Sequence, residues 1–221
     1  MTKKEEQELK RQAKIEKEKA RIETMKVYEN EYETHGWVCG IDEVGRGPLC
    51  GPVVASAVIL PKDCQILYLN DSKKLSEKKR EELYDIIMEQ AVAVGGGMAT
   101  PERIDEINIL QATYESMRQA ISNLKVKPAV LLNDAVTIPG VEIPQIPIIK
   151  GDAKSVSIAA ASIIAKVTRD RMMVEYAQEY PGYAFEKNKG YGTKAHYAAL
   201  TEHGMCPLHR RTFLRKFYGE K

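Results

Sequence analysis

Cysteine is scarce: four residues in 221, none in a C-x-x-C pair. Cys39, Cys50, Cys64 and Cys206 therefore offer no framework for a zinc ribbon or a disulfide-stapled domain, and they read as reduced thiols. No window approaches the roughly 18 consecutive apolar residues that a membrane span needs. The opening MTKKEEQELKRQ has no apolar signal core, so the chain is expected to stay in the cytoplasm and off membranes. An excess of one charge is missing too. Lys and Arg number 33 against 31 Asp and Glu, a net of +2, which excludes a uniformly basic nucleic-acid coat but not a local basic face. There is no G-x-x-x-x-G-K followed by Ser or Thr, no G-x-G-x-x-G after a strand and no G-x-S-x-G. Nucleotide-binding loops of those types and a serine hydrolase elbow are thereby unsupported. With 43% hydrophobic and 29% charged residues, the chain has enough apolar material for a core of its own.

What is present falls into three stretches. Residues 1–35 carry nine basic and nine acidic residues and no Gly or Pro before Gly36. Ile15, Ile22, Met25 and Tyr32 can share a narrow helical stripe, so this extension reads as a solvated helix, a frayed tail or a partner-binding arm. From Trp37 to residue 184 the pattern is that of an α/β domain. Trp37 to Ile41 and Pro52 to Leu60 are apolar strand runs, and Pro61 stops the second. Ser76 opens a helix bearing Leu83 to Met88. Gln90 to Met98 reads as a strand whose glycines imply a bulge or a close backbone approach. Thr100 and Pro101 cap a helix that runs on through Tyr114, Met117 and Ile121. Pro128 to Leu132 is a further strand ending at Asn133-Asp134, with a short one at Pro147 to Ile149. Residues 155–167, SVSIAAASIIAKV, are apolar on most faces and predict a buried helix. The last stretch, 185–221, holds eight basic and three acidic residues among Tyr191, Phe213, Phe217, Tyr218 and three histidines. That mixture suits a nucleic-acid surface.

Four carboxylates hold the chemistry. Asp42 and Glu43 close one apolar strand, Asp134 closes another, and Asp152 precedes the buried helix. Open α/β sheets place their sites at such element ends. Adjacent strand residues point to opposite faces, so Asp42 and Glu43 can share a pocket only if the strand stops there, which Gly45 permits. Clustered carboxylates need counter-charge, and hard divalent cations supply it through oxygen ligands. Taken singly, Asp152 can equally cap a helix and Asp134 can shape a turn. Gly45-Arg46-Gly47 sets an arginine between two glycines beside these acids, a means of gripping phosphate at close range. Lys73, Lys74, Lys78, Lys79 and Arg80 form a second basic cluster. Lys73 and Lys74, just before the helix, are the phosphate candidates.

The segments GIDEVGRGPLCGPVVASAVIL, DSKKLSEKKRE, GDAKSVSIAAASIIAKVTRDR, NKGYGTKAHYAAL and HRRTF together resemble bacterial ribonuclease HII, from about Trp37 to Phe217. The resemblance implies a ribonuclease H-like fold: a mixed central sheet flanked by helices, a catalytic domain over 36–184 and a small helical, basic C-terminal part over 185–221. It implies an endonuclease that cuts the RNA strand of RNA–DNA hybrids and nicks 5′ of single ribonucleotides embedded in duplex DNA, leaving 5′-phosphate and 3′-hydroxyl ends. It implies that Asp42, Glu43, Asp134 and Asp152 hold two Mg²⁺ or Mn²⁺ ions. Gly45, Arg46 and Gly47 match the segment that meets the ribose 2′-hydroxyl and the scissile phosphate, and Tyr191 matches the tyrosine that packs on the adjacent deoxyribose. Lys73, Lys74 and Lys154 are expected phosphate contacts. His196, His203 and His209 are expected to be substrate or structural contacts, since such ions favour oxygen. Members often carry a glycine soon after the third aspartate, where Ala135 stands here. The expected partners are RNA–DNA hybrids and ribonucleotide-containing duplex DNA, with no membrane and the protein a monomer. The sister ribonuclease HIII group carries a folded N-terminal platform, which a 35-residue charged extension is too short to supply. A catalytically dead binding module would be expected to lose carboxylates, and all four are present.

Overall fold

The computed structural model describes residues 2–219; Met1, Glu220 and Lys221, at the outer ends of the expected extension and basic segment, lie outside them. Helices α1 (Lys3–Thr24) and α2 (Val27–Tyr32) precede β1 (Val38–Val44) and β2 (Val53–Ile59). Then come α3 (Glu77–Gln90), β3 (Ala93–Ala99), α4 (Pro101–Ser122), β4 (Val130–Asp134), β5 (Gln145–Ile148) and α5 (Val156–Glu179). Short helices α6 (Phe185–Asn188), α7 (Lys194–His203) and α8 (Arg211–Leu214) end the chain. The sheet order is β3-β2-β1-β4-β5; β1 pairs antiparallel with β2 and parallel with β4, so the sheet is mixed. None of the described helices is long and apolar enough to cross a membrane.

Each face of the sheet has its own core. On one, α5 lies across β1 and β2 with Ala159, Ala160 and Ala161 fully buried, and Leu83 and Ile87 of α3 pack behind it. Gly40 makes that contact possible, because a β-carbon there would sit 2.1 Å from the Ser157 carbonyl carbon. On the other face α4 lies on β3 and β2. β-Carbons at Gly95 and Gly97 would meet the carbonyls of Ala120 and Ser116 at 2.1 Å. The pairing of Val53 with Ala99 through Ile59 with Ala93 is unbroken, so the β3 glycines serve a close helix approach and not a bulge.

Caps fall where the side chains allow. Ser76, Thr100 and Ser155 each accept from a backbone N–H in the first turn of α3, α4 and α5. Two expectations shift. α3 runs through Gln90, so β3 begins at Ala93 and not at Gln90. The helix after Thr100 breaks once: Asn108 takes φ 69° and ψ 162°, and its Oδ1 accepts from the N–H groups of Leu110 and Gln111, restarting the helix with a second cap.

The end of the N-terminal extension is part of the core. Ile22 and Met25 are buried against the α3/α5 side, while most of α1 before them is exposed. Glu29 Oε1 accepts from Ser155 Oγ at 2.6 Å and from Ser157 N at 2.9 Å, and Val156 N donates to the Met25 carbonyl. The start of α5 is thereby tied to residues 25–29.

Candidate active site

β1 and β4 run parallel and stop pairing at Ile41 and Asn133. Beyond that point β1 continues against β2 alone as far as Val44, so the strand does not stop at Asp42 as expected. Asp42 and Glu43 still lie in one acidic region, since both feel the Asp134 charge. Asp42 is buried beside α5, with its Oδ1 accepting from the Glu43 N–H at 2.8 Å and the Ser162 hydroxyl bonded to it. Ser162 in turn meets Ser72 at 2.9 Å. Asp134 Oδ1 accepts from the Gly151 N–H at 2.7 Å, which links the end of β4 to the turn that carries Asp152. A β-carbon at Gly151 would stand 2.6 Å from Ile158 Cδ1, so any larger residue would have to displace that side-chain end.

The acids strain one another. Burial first, then the Glu43 and Asp134 charges, hold the Asp42 carboxyl well above the usual carboxylate range. Glu43 is raised by burial, and by Asp134, against the opposing pull of Arg46 and Lys73. Asp152 is raised by burial and by the charges of Asp71 and Asp134, with Lys73 opposing. The counter-charge at hand is Lys73 and Arg46, whose Nη1 lies 3.3 Å from Glu43 Oε1. Among the described residues no three of these carboxylates bring oxygens within 4.8 Å of one another. The quartet spans more than one cation's shell.

An open groove of about 500 Å³ runs beside the acids, lined by Glu43, Gly45, Arg46, Gly47, Lys73 and Tyr191, with Ile109 and Phe213 on its far wall. Gly45 takes φ 95°, and a β-carbon there would meet Arg169 Nε at 2.4 Å. The Tyr191 ring is 3.9 Å from where a β-carbon of Gly47 would stand. Lys74 is exposed and turns toward Asp71 at 4.0 Å, and Lys154 is exposed in the turn after Asp152; neither lines the groove. Ala135, where a glycine is common, has φ 56°, a left-handed conformation that glycine adopts without strain.

Several residues escaped the sequence reading. Asp71 caps the turn that presents Lys73, accepting its N–H at 2.9 Å, and faces Asp152; it stood in plain view at the head of DSKK. Ile109, which lines the groove, follows directly on the helix break at Asn108. Arg169 and Arg210 lie fully buried behind the glycine-rich loop, and nothing in local sequence marks them. Cys50, His196 and His209 form the only trio of potential ligands with atoms within 4.8 Å among the described residues. The two imidazoles meet head-on, Nε2 to Nε2 at 3.0 Å with ring centres 5.2 Å apart, as in an N–H···N hydrogen bond. Cys206 N can only donate to His209 Nδ1, and the Tyr191 carbonyl can only accept from His196 Nδ1, so both rings are neutral with assigned tautomers. Burial agrees, lowering His196 and taking His209, beside His196, to about 4. This pair is a hydrogen-bonded brace for the Tyr191 backbone. His203 lies against Gly182 and Tyr183, a structural contact.

A mixed five-stranded sheet flanked by helices, with acids gathered near the ends of β1 and β4, is the architecture of the ribonuclease H fold. The family model described as Ribonuclease HII matches residues 39–218. A Ribonuclease HII of Lachnoclostridium phytofermentans is 65% identical over 205 residues, covering 93% of this chain and 81% of that protein. One from Bacillus subtilis is 58% identical over 210 residues, covering 94% and 82%. The crystal structure of the ribonuclease H2 from Pyrococcus horikoshii superposes with a TM-score of 0.66 at 30% identity, over 80% of this chain and 93% of that one. The chain belongs to the ribonuclease HII family. It is an endoribonuclease with ribonuclease H activity on RNA–DNA hybrids.

Proposed function

We propose that this enzyme also nicks 5′ of single ribonucleotides embedded in duplex DNA, leaving 5′-phosphate and 3′-hydroxyl ends, and that Asp42, Glu43, Asp134 and Asp152 hold two divalent cations, Mg²⁺ or Mn²⁺. One observation carries the metal reading. Asp42, Glu43 and Asp152 are all pushed above the usual carboxylate range by burial and by neighbouring acids, with only Lys73 and Arg46 to offset them. An all-oxygen donor set suits hard cations. Such ions, when bound, lower the pKa of water and neutralise charge at the leaving 3′-oxygen.

The chain's own groups do the rest. Gly45, Arg46 and Gly47 lie beside the acids, where backbone can approach a ribose 2′-hydroxyl and its phosphate. Lys73 faces the same groove and serves the phosphate; Lys74 and Lys154 serve flanking phosphates. The Tyr191 ring, next to Gly47, packs on the deoxyribose beyond the junction, where a 2′-hydroxyl would crowd it. Residues 36–184 form the catalytic domain and 185–221 the substrate-binding segment, acting as a monomer in the cytoplasm. The test is a metal-dependent nicking assay on a duplex with one ribonucleotide. The reading predicts a single nick on its 5′ side with a 5′-phosphate product. An intact duplex under conditions that cleave an RNA–DNA hybrid overturns it.

A further inference from the structure

The loop between β1 and β2 is held from behind by two buried arginines. Arg169 Nε donates to the Pro52 carbonyl at 2.9 Å, Nη2 to that of Cys50 at 3.0 Å and Nη1 to that of Lys189 at 2.9 Å. Arg210 Nε and Nη2 donate to the Gly51 carbonyl at 3.0 and 2.7 Å, Nη2 also to that of Gly45 at 2.6 Å, and Nη1 to that of Arg46 at 3.1 Å. Neither guanidinium forms an ion pair with a carboxylate among the described residues, and neither has exposed surface. Two charges are thus buried against carbonyls, with only the Phe213 ring beside the Arg210 guanidinium, a costly arrangement for a loop that merely connects two strands.

The geometry of the amide explains what this arrangement does. In a planar trans peptide the N–H points opposite to the C=O. The amide whose carbonyl belongs to Gly45 carries its N–H on Arg46, and the amide whose carbonyl belongs to Arg46 carries its N–H on Gly47. Arg210 draws both carbonyls inward, so both N–H groups turn outward. Gly45 is buried whereas Arg46 and Gly47 are exposed, and the N–H groups of Arg46 and Gly47 have no acceptor among the described residues. Pro48, which has no N–H, ends the run. Two successive outward amides beside Lys73 make a concave rest for an anionic oxygen. We propose that Arg210 is a positioning residue: by binding the Gly45 and Arg46 carbonyls from inside, it aims the Arg46 and Gly47 N–H groups at a non-bridging oxygen of the substrate phosphate. This rests on the reading of the groove as the place of the scissile phosphate. Arg169 complements it by tying the same loop to Lys189, two residues before Tyr191.

The test uses Arg210→Met, Arg210→Lys and an otherwise wild-type chain in which Gly47 is replaced by glycolate, an ester that deletes the Gly47 N–H and also weakens the Arg46 carbonyl as an acceptor for Arg210. Binding of a fluorescein-labelled RNA–DNA hybrid in EDTA is read by anisotropy, alongside Tm, hydrogen exchange over residues 45–51 and kcat/KM for hybrid cleavage. Arg210→Met should weaken metal-free binding about 10-fold, lower kcat/KM about 100-fold and deprotect the 45–51 segment, with Arg210→Lys intermediate in each. The ester should reproduce the binding and kcat/KM losses with Tm within about 1 °C of wild type, which a purely structural role of the loop would not do. A folded Arg210→Met enzyme whose Kd and kcat/KM stay within about 3-fold of wild type overturns the inference, and so does an ester of wild-type affinity, even if Arg210→Met fails to fold. If the wild type does not nick the single-ribonucleotide duplex while the ester still weakens hybrid binding, the nicking proposal falls and the role of Arg210 stands.

Discussion

Replacing Glu29 by Ala removes the one carboxylate that ties the N-terminal extension to the start of α5. Its Oε1 accepts two hydrogen bonds, from Ser155 Oγ and Ser157 N, and its Oε2 has no partner among the described residues. Each bond to a charged acceptor is worth roughly 1.5–3 kcal/mol. Burial works against them and raises the Glu29 carboxyl above the usual range. The net loss on truncation is then about 2–3 kcal/mol, with the Ser157 N–H left unpaired. At roughly 2–4 °C per kcal/mol for a chain of this length, Tm should fall by about 5–10 °C. Glu29→Gln keeps an acceptor and sheds the buried charge, so it should stay within about 1 kcal/mol of wild type. The pH dependence has a defined sign. A carboxyl raised in the folded state contributes stability that is complete below the ordinary carboxylate pKa and is lost as pH rises through the raised value. The Tm difference between wild type and Glu29→Gln should therefore shift in favour of Gln on going from pH 4 to pH 7. Scanning fluorimetry in EDTA over that range measures both quantities. An Ala variant that melts within 2 °C of wild type at every pH would show that residues 25–29 do not brace α5.

Four further outcomes are expected. Asp134→Asn should lower hybrid cleavage by about 1,000-fold or more while metal-free duplex binding stays within about 2-fold, since the amide oxygen can still accept from Gly151 N–H; near wild-type cleavage refutes the ligand assignment. Tyr191→Ala should cost more in cleavage at a single embedded ribonucleotide than in duplex affinity, and equal losses would remove its sugar-sensing role. Because Asp152 is raised in the folded state, the metal-free wild type should gain stability relative to Asp152→Asn as pH falls from 7 toward 5, the lowered His196 and His209 acting equally on both, and Mn²⁺ at 100 times its Kd should add about 2.7 kcal/mol at neutral pH; a Tm difference that moves the other way contradicts this. Ala135→Gly relieves a φ of 56° and should stabilise by about 0.5–1 kcal/mol in urea unfolding, net of the added backbone entropy.

Much of the scaffold could be read from local patterns. Thr100-Pro101 and Ser76 cap the helices they precede, PVVASAVIL is β2, and the alanine-rich run is the buried helix. These are short-range facts, set by one residue's hydrogen bond or by the period of apolar side chains. The positions of the four acids were legible for a related reason, since each lies near the end or start of an apolar run, but their roles rest on the proposal above. What stayed hidden joins distant parts of the chain. Glu29 meets Ser155 across 126 positions and Arg210 meets Gly45 across 165, and neither pairing leaves a periodic trace. The extension looked solvated because nine basic and nine acidic residues outweigh the few side chains that insert, Ile22 and Met25 among them. The break at Asn108 was missed because Asn also occurs inside helices, and its cap is visible only once φ is known.

The absent side chain of Gly40 has a practical consequence for sorting sequences. Adding a methyl group there would push α5 off β1 by about 1 Å. Asp42 rides on β1, while Asp152 travels with the turn leading into α5, so the shift would open the span between the two acids yet leave every carboxylate in the chain. A homologue with all four acids but a larger residue at this position should therefore lose the spacing between them, a change read from a single letter outside the four proposed ligands.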